Sequence, residues 1–343
     1  MKALILIGGF GTRLEPLTIT TPKSMVPVIN APFLEYLLKR LKNCGIREVV
    51  FSLGHLPAAV LEYFGDGQKL GLHIEYVVEE SPLGTGGGIK NAERYLDETF
   101  LVINGDVFTD IDIKQMEEFH AKKRAMATIA LIPVEDPSRY GIIDTGTDGR
   151  VRQFIEKPSG KEITTNLINA GLIIMETQVL DYIPADTPYS YEKQLFPALL
   201  RQGEPVFGYS SRAYWIDIGT PESYFRLNAD LLAGKSNQYT PTDSSGCFLD
   251  PASTIADNVV LEGNVVVGQA AVLGKGSGIK NSLIWPETTI GEDCEIEGSI
   301  IADRCRIGSK CRIQGTVLGS GIVLGDKQTL LRNSRVYPNS KIY

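Results

Sequence analysis

Histidine is nearly missing from this chain: three occur in 343 residues (His55, His73 and His120), and none follows His120. The whole C-terminal third therefore has no imidazole to serve as a general base. The five cysteines (Cys44, Cys247, Cys294, Cys305, Cys311) are odd in number and include no CxxC pair, which excludes a disulfide framework and a zinc site. Such cysteine usage predicts buried thiols in a reducing cytoplasm. No GxSxG occurs, and no histidine, serine or cysteine nucleophile is suggested. Positive charge is not in excess, since the formal net charge is -7, which argues against nucleic acid or an anionic membrane surface as partner. Long apolar runs are lacking too. The run at Ala3–Ile7 is too short for a signal peptide or a membrane span, and glycines end it. The length predicts two domains, and 43% apolar residues are ample for real cores.

The chain is organised around KALILIGGFGTRLEPLTITTPKSM, residues 2–25. Ala3–Ile7 reads as a strand buried on both faces of a parallel sheet. It runs into Gly8, Gly9 and Gly11, with Leu6 before them and Thr12 and Arg13 after them. Three glycines let the backbone approach a ligand with bare amides exposed. Arg13 forks two oxygens and Lys23 adds a point charge, so the stretch suits a polyphosphate. Rival readings are weaker: a dinucleotide fingerprint needs a glycine where Leu14 stands, and a P-loop would have to close on Gly-Lys-Ser/Thr, which this loop does not.

GGFGTRLEPLT followed by PKSM closely resembles the signature of the sugar-1-phosphate nucleotidylyltransferases. The resemblance continues in order through PLGTGGG (82–88), NGD (104–106), YG (140–141), FIEKP (154–158), NAG (169–171) and WIDIGT (215–220). It implies a Mg²⁺-dependent enzyme that joins a nucleoside triphosphate to a sugar 1-phosphate and releases pyrophosphate. It assigns Asp106 and Asp217 as metal ligands and Arg13, Lys23 and both aspartates as the catalytic set. It places the nucleotide on Leu6, Gly8, Gly9, Gly11, Thr12, Arg13, Glu79, Pro82, Gly84 and Thr85, with the base-reading segment at Glu79 to Gly84. The sugar and its phosphate fall to Gly105, Tyr140, Gly141, Glu156, Lys157, Asn169 and Gly171, with the lysine on the phosphate and the glutamate, asparagine and glycine on hydroxyls.

The residues themselves support parts of this. Strand–helix alternation predicts a Rossmann-like, doubly wound, mostly parallel α/β sheet with ligands at the carboxyl ends of its strands. Asn30 is read as the cap of a helix with Leu34, Leu37, Leu38 and Leu41 on one face. Strands are predicted at 48–53, 74–78, 100–103, 126–134 and 172–175, with a hairpin of 140–144 and 150–155. Helices are predicted at 85–96, at 191–201 and after Thr220. Asp106 follows a strand, where Mg²⁺ favours a carboxylate. Asp217 lies in a short apolar run, where a solitary charge is expensive unless paired or metal-bound. Glu156 and Lys157, read alone, form a solvated surface pair, and only their place in the series raises them to site residues.

Residues 236–250, polar and turn-rich, are taken as a linker between a catalytic domain (1–235) and a second domain (251–343). Beyond it, Ile255, Leu261, Val267, Leu273 and Ile279 recur every six residues, then Ile284, Ile290 and Ile296, then Ile301, Ile307 and Ile313. Three six-residue sides make one coil, so this is a parallel β-helix of hexapeptide repeats. Resemblance to the left-handed hexapeptide family implies its hand. Cys305 and Cys311 occupy equivalent coil positions. Hexapeptide β-helices commonly carry acyltransferase activity with a histidine base, which this one lacks, so it is read as an oligomerisation or regulatory module, implying a homo-oligomer. A catalytically inactive sensor or scaffold is the other reading, opposed by the intact loop and both aspartates. A carboxylate at Glu79 only accepts hydrogen bonds, and guanine offers two adjacent donors. With the PLGTGG form of the motif, this resembles the mannose-1-phosphate guanylyltransferases and favours GTP with mannose 1-phosphate. The alternative is dTTP or UTP with glucose 1-phosphate. Glu80, next in sequence, leaves open which of the two reads the base.

Overall fold

The computed structural model describes residues 1–241 and 245–343; part of the expected linker, residues 242–244, lies outside the described residues. The chain divides into two compact units. One comprises Met1–Gly9 with Leu37–Trp215, the other Phe10–Tyr36 with Ile216–Tyr343.

The first unit is built on a mixed, mostly parallel sheet of nine strands. They are β1 (Lys2–Ile7), β2 (Glu48–Leu53), β3 (His73–Val78), β4 (Phe100–Asn104), β5 (Ala127–Pro133), β6 (Gly141–Thr145), β7 (Val151–Glu156), β8 (Leu167–Met175) and β9 (Val206–Ser210). Along the main path the order is β7-β6-β8-β4-β1-β2-β3, with β5 pairing β8 and β9. β1 sits centrally, parallel to β2 on one side and β4 on the other. Ala3, Leu4 and Ile5 are fully buried, which is why β1 reads as a continuous apolar run. From β1 the chain steps outward to β2 and β3 and then returns to lay β4 on the opposite flank. The order thus reverses between β1 and β4, and the carboxyl ends of those two strands flank the crevice where such sheets bind ligands. β8 runs antiparallel to both β4 and β5. Helices in chain order are α1 (Phe33–Asn43), α2 (Pro57–Phe64), α3 (Gly84–Asn91), α4 (Ile113–Lys123), α5 (Phe196–Arg201) and α6 (Pro221–Leu232).

Four sequence expectations need correction. Asn30 does not cap α1: at φ 63° it turns a small hairpin, Pro27–Val28 against Ala31–Pro32, and its side-chain amide is engaged elsewhere. The helix expected over 85–96 ends at Asn91, and a separate single turn follows at Glu93–Tyr95. The strand expected over 172–175 extends over Leu167–Met175, with its register shifting between Asn169 and Ile173. The helix expected over 191–201 opens as a wide π turn, Tyr191–Leu195, before α5. Pro197 lacks the N–H that a continuous α-helix would use there.

In the second unit, α6 begins as its sequence predicts. Thr220 accepts from Ser223 N, and Pro221 occupies the first turn. Beyond it, short parallel strands stack into three sheets of six, six and five strands, consistent with a left-handed β-helix. Register pairs Val267, Ile284, Ile301, Leu318 and Val336 in one column, and Leu273, Ile290, Ile307, Leu324 and Ile342 in another. Between the columns a second ladder forms from small polar side chains. Ser277 Oγ, Thr288 Oγ1, Cys294 Sγ, Cys305 Sγ and Cys311 Sγ each donate to a carbonyl fourteen residues on, at 2.9, 2.7, 3.1, 3.2 and 3.1 Å. Cys305 and Cys311 do occupy equivalent positions. Burial pushes the Cys305 thiol up to about 12 and also raises Cys294 and Cys311, so these thiols are structural filler. All five cysteines are free.

Serine should replace Cys294 at a loss of no more than about 1 kcal/mol, because its hydroxyl can make the same bond to Gly308 O. Ile296→Ala, which opens a cavity at a side chain only 1% exposed, should lose roughly 2–5 kcal/mol. Urea denaturation of the two variants checks the contrast, and equal losses would refute the ladder.

Candidate active site

In the sheet unit, the turns after β1 and β4 approach each other closely. Gly105 N donates to Leu6 O at 2.9 Å, and a Cβ on Gly105 would lie 2.9 Å from both that oxygen and Ile7 Cγ1. Only glycine fits there, and Asp106, half-buried, follows it directly. Gly8 is half-buried and Gly9 exposed, with open space where a Cβ on Gly9 would stand. Glu79, one residue past β3, turns its carboxylate toward this turn: both oxygens lie 3.7 Å from the Cβ position of Gly8. Ser52 Oγ donates to Glu79 Oε1 at 2.9 Å and Leu83 N to Oε2 at 3.1 Å, fixing the group while each oxygen keeps a lone pair. Glu80 is exposed.

The PLGTGGG stretch uses its residues mainly for packing. Gly86 and Gly87 donate from the head of α3 to Tyr189 O at 2.8 and 3.0 Å, and a Cβ on Gly86 would meet the Tyr189 ring at 2.9 Å. The Thr85 hydroxyl donates to Glu192 Oε2 at 2.7 Å and accepts from Tyr191 N at 3.1 Å. Pro82 and Gly84 are exposed at the start of this turn.

The expected sugar-phosphate residues form one connected group. Gly171, at φ 75°, donates its N–H to Asn169 Oδ1 at 3.0 Å, and a Cβ there would lie 3.1 Å from Asn104 Nδ2. The buried Tyr191 hydroxyl donates to Asn104 Oδ1 at 3.0 Å. Trp215 Nε1 donates to Ala170 O at 2.9 Å, and its ring meets Tyr140 edge-on at 5.4 Å. Gly141 leaves room for Glu156, whose Oε2 would be 2.8 Å from a Cβ there. Burial first, and the neighbouring Glu192 carboxylate second, push the Glu156 carboxyl above its ordinary range. Lys157 points outward, 71% exposed, with Nζ 3.9 Å from Glu156 Oε1.

In the second unit, Gly11 adopts φ 67°, and a Cβ there would also collide with Thr18 Cγ2 at 2.9 Å, so the position calls for glycine. Thr12, Arg13 and Leu14 then make one tight turn, and Lys23–Met25 make another. Both cations face Asp217. Lys23 Nζ lies 3.3 Å from Oδ1 and Arg13 Nη2 lies 3.8 Å from Oδ2. The charge in the WIDIGT run is thus paired. Gly219 lies close beneath the pair, since a Cβ there would be 2.8 Å from Arg13 Nη2 and would displace that guanidinium. Among the described residues no group of three or more His, Cys, Asp or Glu is placed to hold a metal. No described helix is long and apolar enough to cross a membrane.

Residues 2–234 match the nucleotidyl transferase family, and the chain belongs to that family of enzymes. Residues 244–343 match the GMPPB C-terminal domain. Sequence relatives include the mannose-1-phosphate guanylyltransferase of Mycobacterium tuberculosis, 40% identical over 288 residues, which span 83% of this chain and 80% of that protein. Another is the UTP–glucose-1-phosphate uridylyltransferase of a Synechocystis species, 32% identical over 321 residues and 83% of each chain. Among solved structures, HddC from Yersinia pseudotuberculosis complexed with GMP-PN is 31% identical with a TM-score of 0.58, covering 66% of this chain and 97% of that one.

Asn104, Tyr191, Glu192 and Ser52 lie against the candidate residues or bond to them but were not singled out from sequence. Asn104 was within reach as the first residue of NGD. The other three become visible only through long-range contacts.

The raised Glu156 pKa fixes a sign. A carboxyl that binds its proton more tightly folded than unfolded stabilises the fold most below its unfolded value, 4.5, and loses that contribution as pH rises through the folded value. Thermal denaturation of wild type and Glu156→Gln between about pH 4 and pH 8 should give curves that meet at the acid end, with the variant flatter above. A wild type no more pH-dependent than the variant would refute the assignment.

Proposed function

We propose that the chain transfers a nucleoside monophosphate from a nucleoside triphosphate to a sugar 1-phosphate, and that the pair is GTP and mannose 1-phosphate. The observation that carries this reading is the Glu79 carboxylate, held by Ser52 and Leu83 beside Gly8 with lone pairs to spare. An acceptor-only group suits the adjacent N1–H and 2-amino donors of guanine, whereas a pyrimidine edge also needs a donor. Identity to the Mycobacterium relative supports the same choice. UTP or dTTP with glucose 1-phosphate is the second reading, favoured by the Synechocystis relative.

In the reaction, a sugar-phosphate oxygen attacks the α-phosphorus, a new P–O bond forms, and the bridging P–O bond to the β-phosphate breaks to release pyrophosphate. Such chemistry rests on positioning and charge neutralisation. Bare amides at Gly8, Gly9, Gly11 and Thr12 cradle the triphosphate. Arg13 and Lys23 leave Asp217 to steady the departing pyrophosphate. Lys157 swings its exposed ammonium onto the sugar phosphate, while Glu156, Asn169 and Gly171 take hydroxyls. Asp106 and Asp217 are the proposed Mg²⁺ ligands, and the donor set fits, since this ion takes hard carboxylate oxygens. When bound, Mg²⁺ neutralises phosphate charge. Free, buried thiols support a reducing cytoplasm, and exposed Val260 and Val272 on the β-helix support association of copies through that module.

Pyrophosphate release, with GTP, dTTP, UTP, ATP and CTP crossed against mannose and glucose 1-phosphates, should be fastest for GTP with mannose 1-phosphate. Glu79→Gln should lower the preference for GTP over UTP by at least about tenfold, a loss of about 1.4 kcal/mol in discrimination. An unchanged ratio would remove Glu79 as the base reader. Release only with dTTP or UTP and glucose 1-phosphate would establish the second reading.

A further inference from the structure

We propose that the β-helix sets the position of the cationic loop, with Ser320 and Arg335 as positioning residues for Arg13 and Lys23. The kinetic consequence rests on the function proposed above, whereas the mechanical one does not.

The loop Phe10–Tyr36 and the β-helix belong to one compact unit, and the loop is tethered along one edge of the coils. Each tether comes from a residue at, or just beyond, a strand of the same stacked sheet. On the first coil, Asp250 Oδ2 accepts from Asn30 Nδ2 at 2.6 Å, and on the second, Gln269 N donates to Asn30 Oδ1 at 3.2 Å. On the third, Trp285 Nε1 donates to the Tyr224 hydroxyl at 3.0 Å, and that hydroxyl donates to Pro27 O. On the fifth, Ser320 Oγ lies 3.0 Å from Thr20 Oγ1 and donates to Asp303 Oδ1 of the fourth coil at 2.5 Å. On the sixth, an Arg335 guanidinium nitrogen donates to Glu15 O at 2.8 Å.

The order is monotonic. As the coils advance from Asp250 to Arg335, the loop residues met fall from Asn30 through Pro27 and Thr20 to Glu15. The loop is thus laid down the β-helix edge in reverse. Glu15 is two residues from Arg13, and Lys23 is bracketed by Thr20 and Pro27. A tether lost at the fifth or sixth coil frees the end of the loop that carries Arg13, while the first three coils still hold its base.

The test uses the full chain with Ser320→Ala, Arg335→Met and the two combined; the Arg335 bond is exposed, whereas Ser320 is only 2% exposed and its truncation also removes the hydrogen bond to Asp303. Hydrogen exchange should speed up in amides 10–25 and stay unchanged in the nine-stranded sheet. In the double variant, kcat with saturating GTP and mannose 1-phosphate should fall about tenfold, as expected for misplaced groups, while KM for the sugar phosphate stays within about twofold. Arg335→Lys should restore most of the single loss, because an ammonium can still reach a carbonyl. Unchanged exchange over 10–25 in the double variant would overturn the proposal. So would a uniform loss of every kinetic constant together with melting temperature, the pattern of general destabilisation. If wild type releases no pyrophosphate from any substrate pair, the functional reading falls, and the exchange experiment alone decides the tether.

Discussion

Two cations against one carboxylate define the resting state of the loop. Arg13 and Lys23 would repel each other if left alone, and Asp217 neutralises one charge of the two. The partners are not equal. Lys23 and Asp217 are only 12% and 16% exposed, so their attraction is weakly screened, whereas Arg13 is 62% exposed and its pairing is worth about 0–1 kcal/mol. Within this trio Arg13 is the loosely held cation. In the function proposed above, a polyphosphate would draw Arg13 from Asp217 more readily than Lys23. Such a local concentration of cations would let a chain with net charge -7 take the proposed anion.

The sheet unit solves a related problem with space instead of charge. Gly105 lies against Leu6 and Ile7, Gly54 lies against Gly8, and Gly88 lies against the Glu79 carboxylate and Ser52, each so close that a Cβ would be 3.0 Å or less from its neighbour. These approaches bring the turns after β1 and β4 together at the point where strand order reverses. They also leave Glu79 immobilised by two donors, so its free lone pairs keep a fixed direction. A carboxylate oriented in advance loses little entropy when it meets a ligand donor.

How far each feature could be read from sequence follows from how local its cause is. The burial of β1, the glycine turn, the Thr220 cap and the six-residue repeat are encoded in residues adjacent in sequence or spaced at a fixed period, and all were legible. Asn30 was misread because its preference for a cap and its preference for a left-handed turn look alike in sequence. Its actual role depends on Asp250 and Gln269, more than two hundred residues away. The partners of the Thr85 hydroxyl, Glu192 and Tyr191, were not legible, because a plain helix over 191–201 would not have placed them there. The WIDIGT aspartate could be seen to need a partner, but not that the partners were the loop's own cations.

The regularity of the β-helix matters to the loop for a geometric reason. Coils stack at the spacing of neighbouring strands, about 4.8 Å, so the five steps from Asp250 to Arg335 measure roughly 24 Å. The loop residues tethered over that distance, Asn30 back to Glu15, could span about 50 Å if extended. The segment therefore carries slack amounting to half its reach. That slack is taken up in single tight turns, Leu17–Ile19 and Lys23–Met25, with Thr12–Leu14 just beyond the last tether. Lys23 is thus presented from a compact turn between fixed points, and Arg13 from a turn immediately outside the last one. A shorter β-helix would leave the Arg13 turn without its nearest anchor, and an extended loop of the same span would have no room for the turns at all.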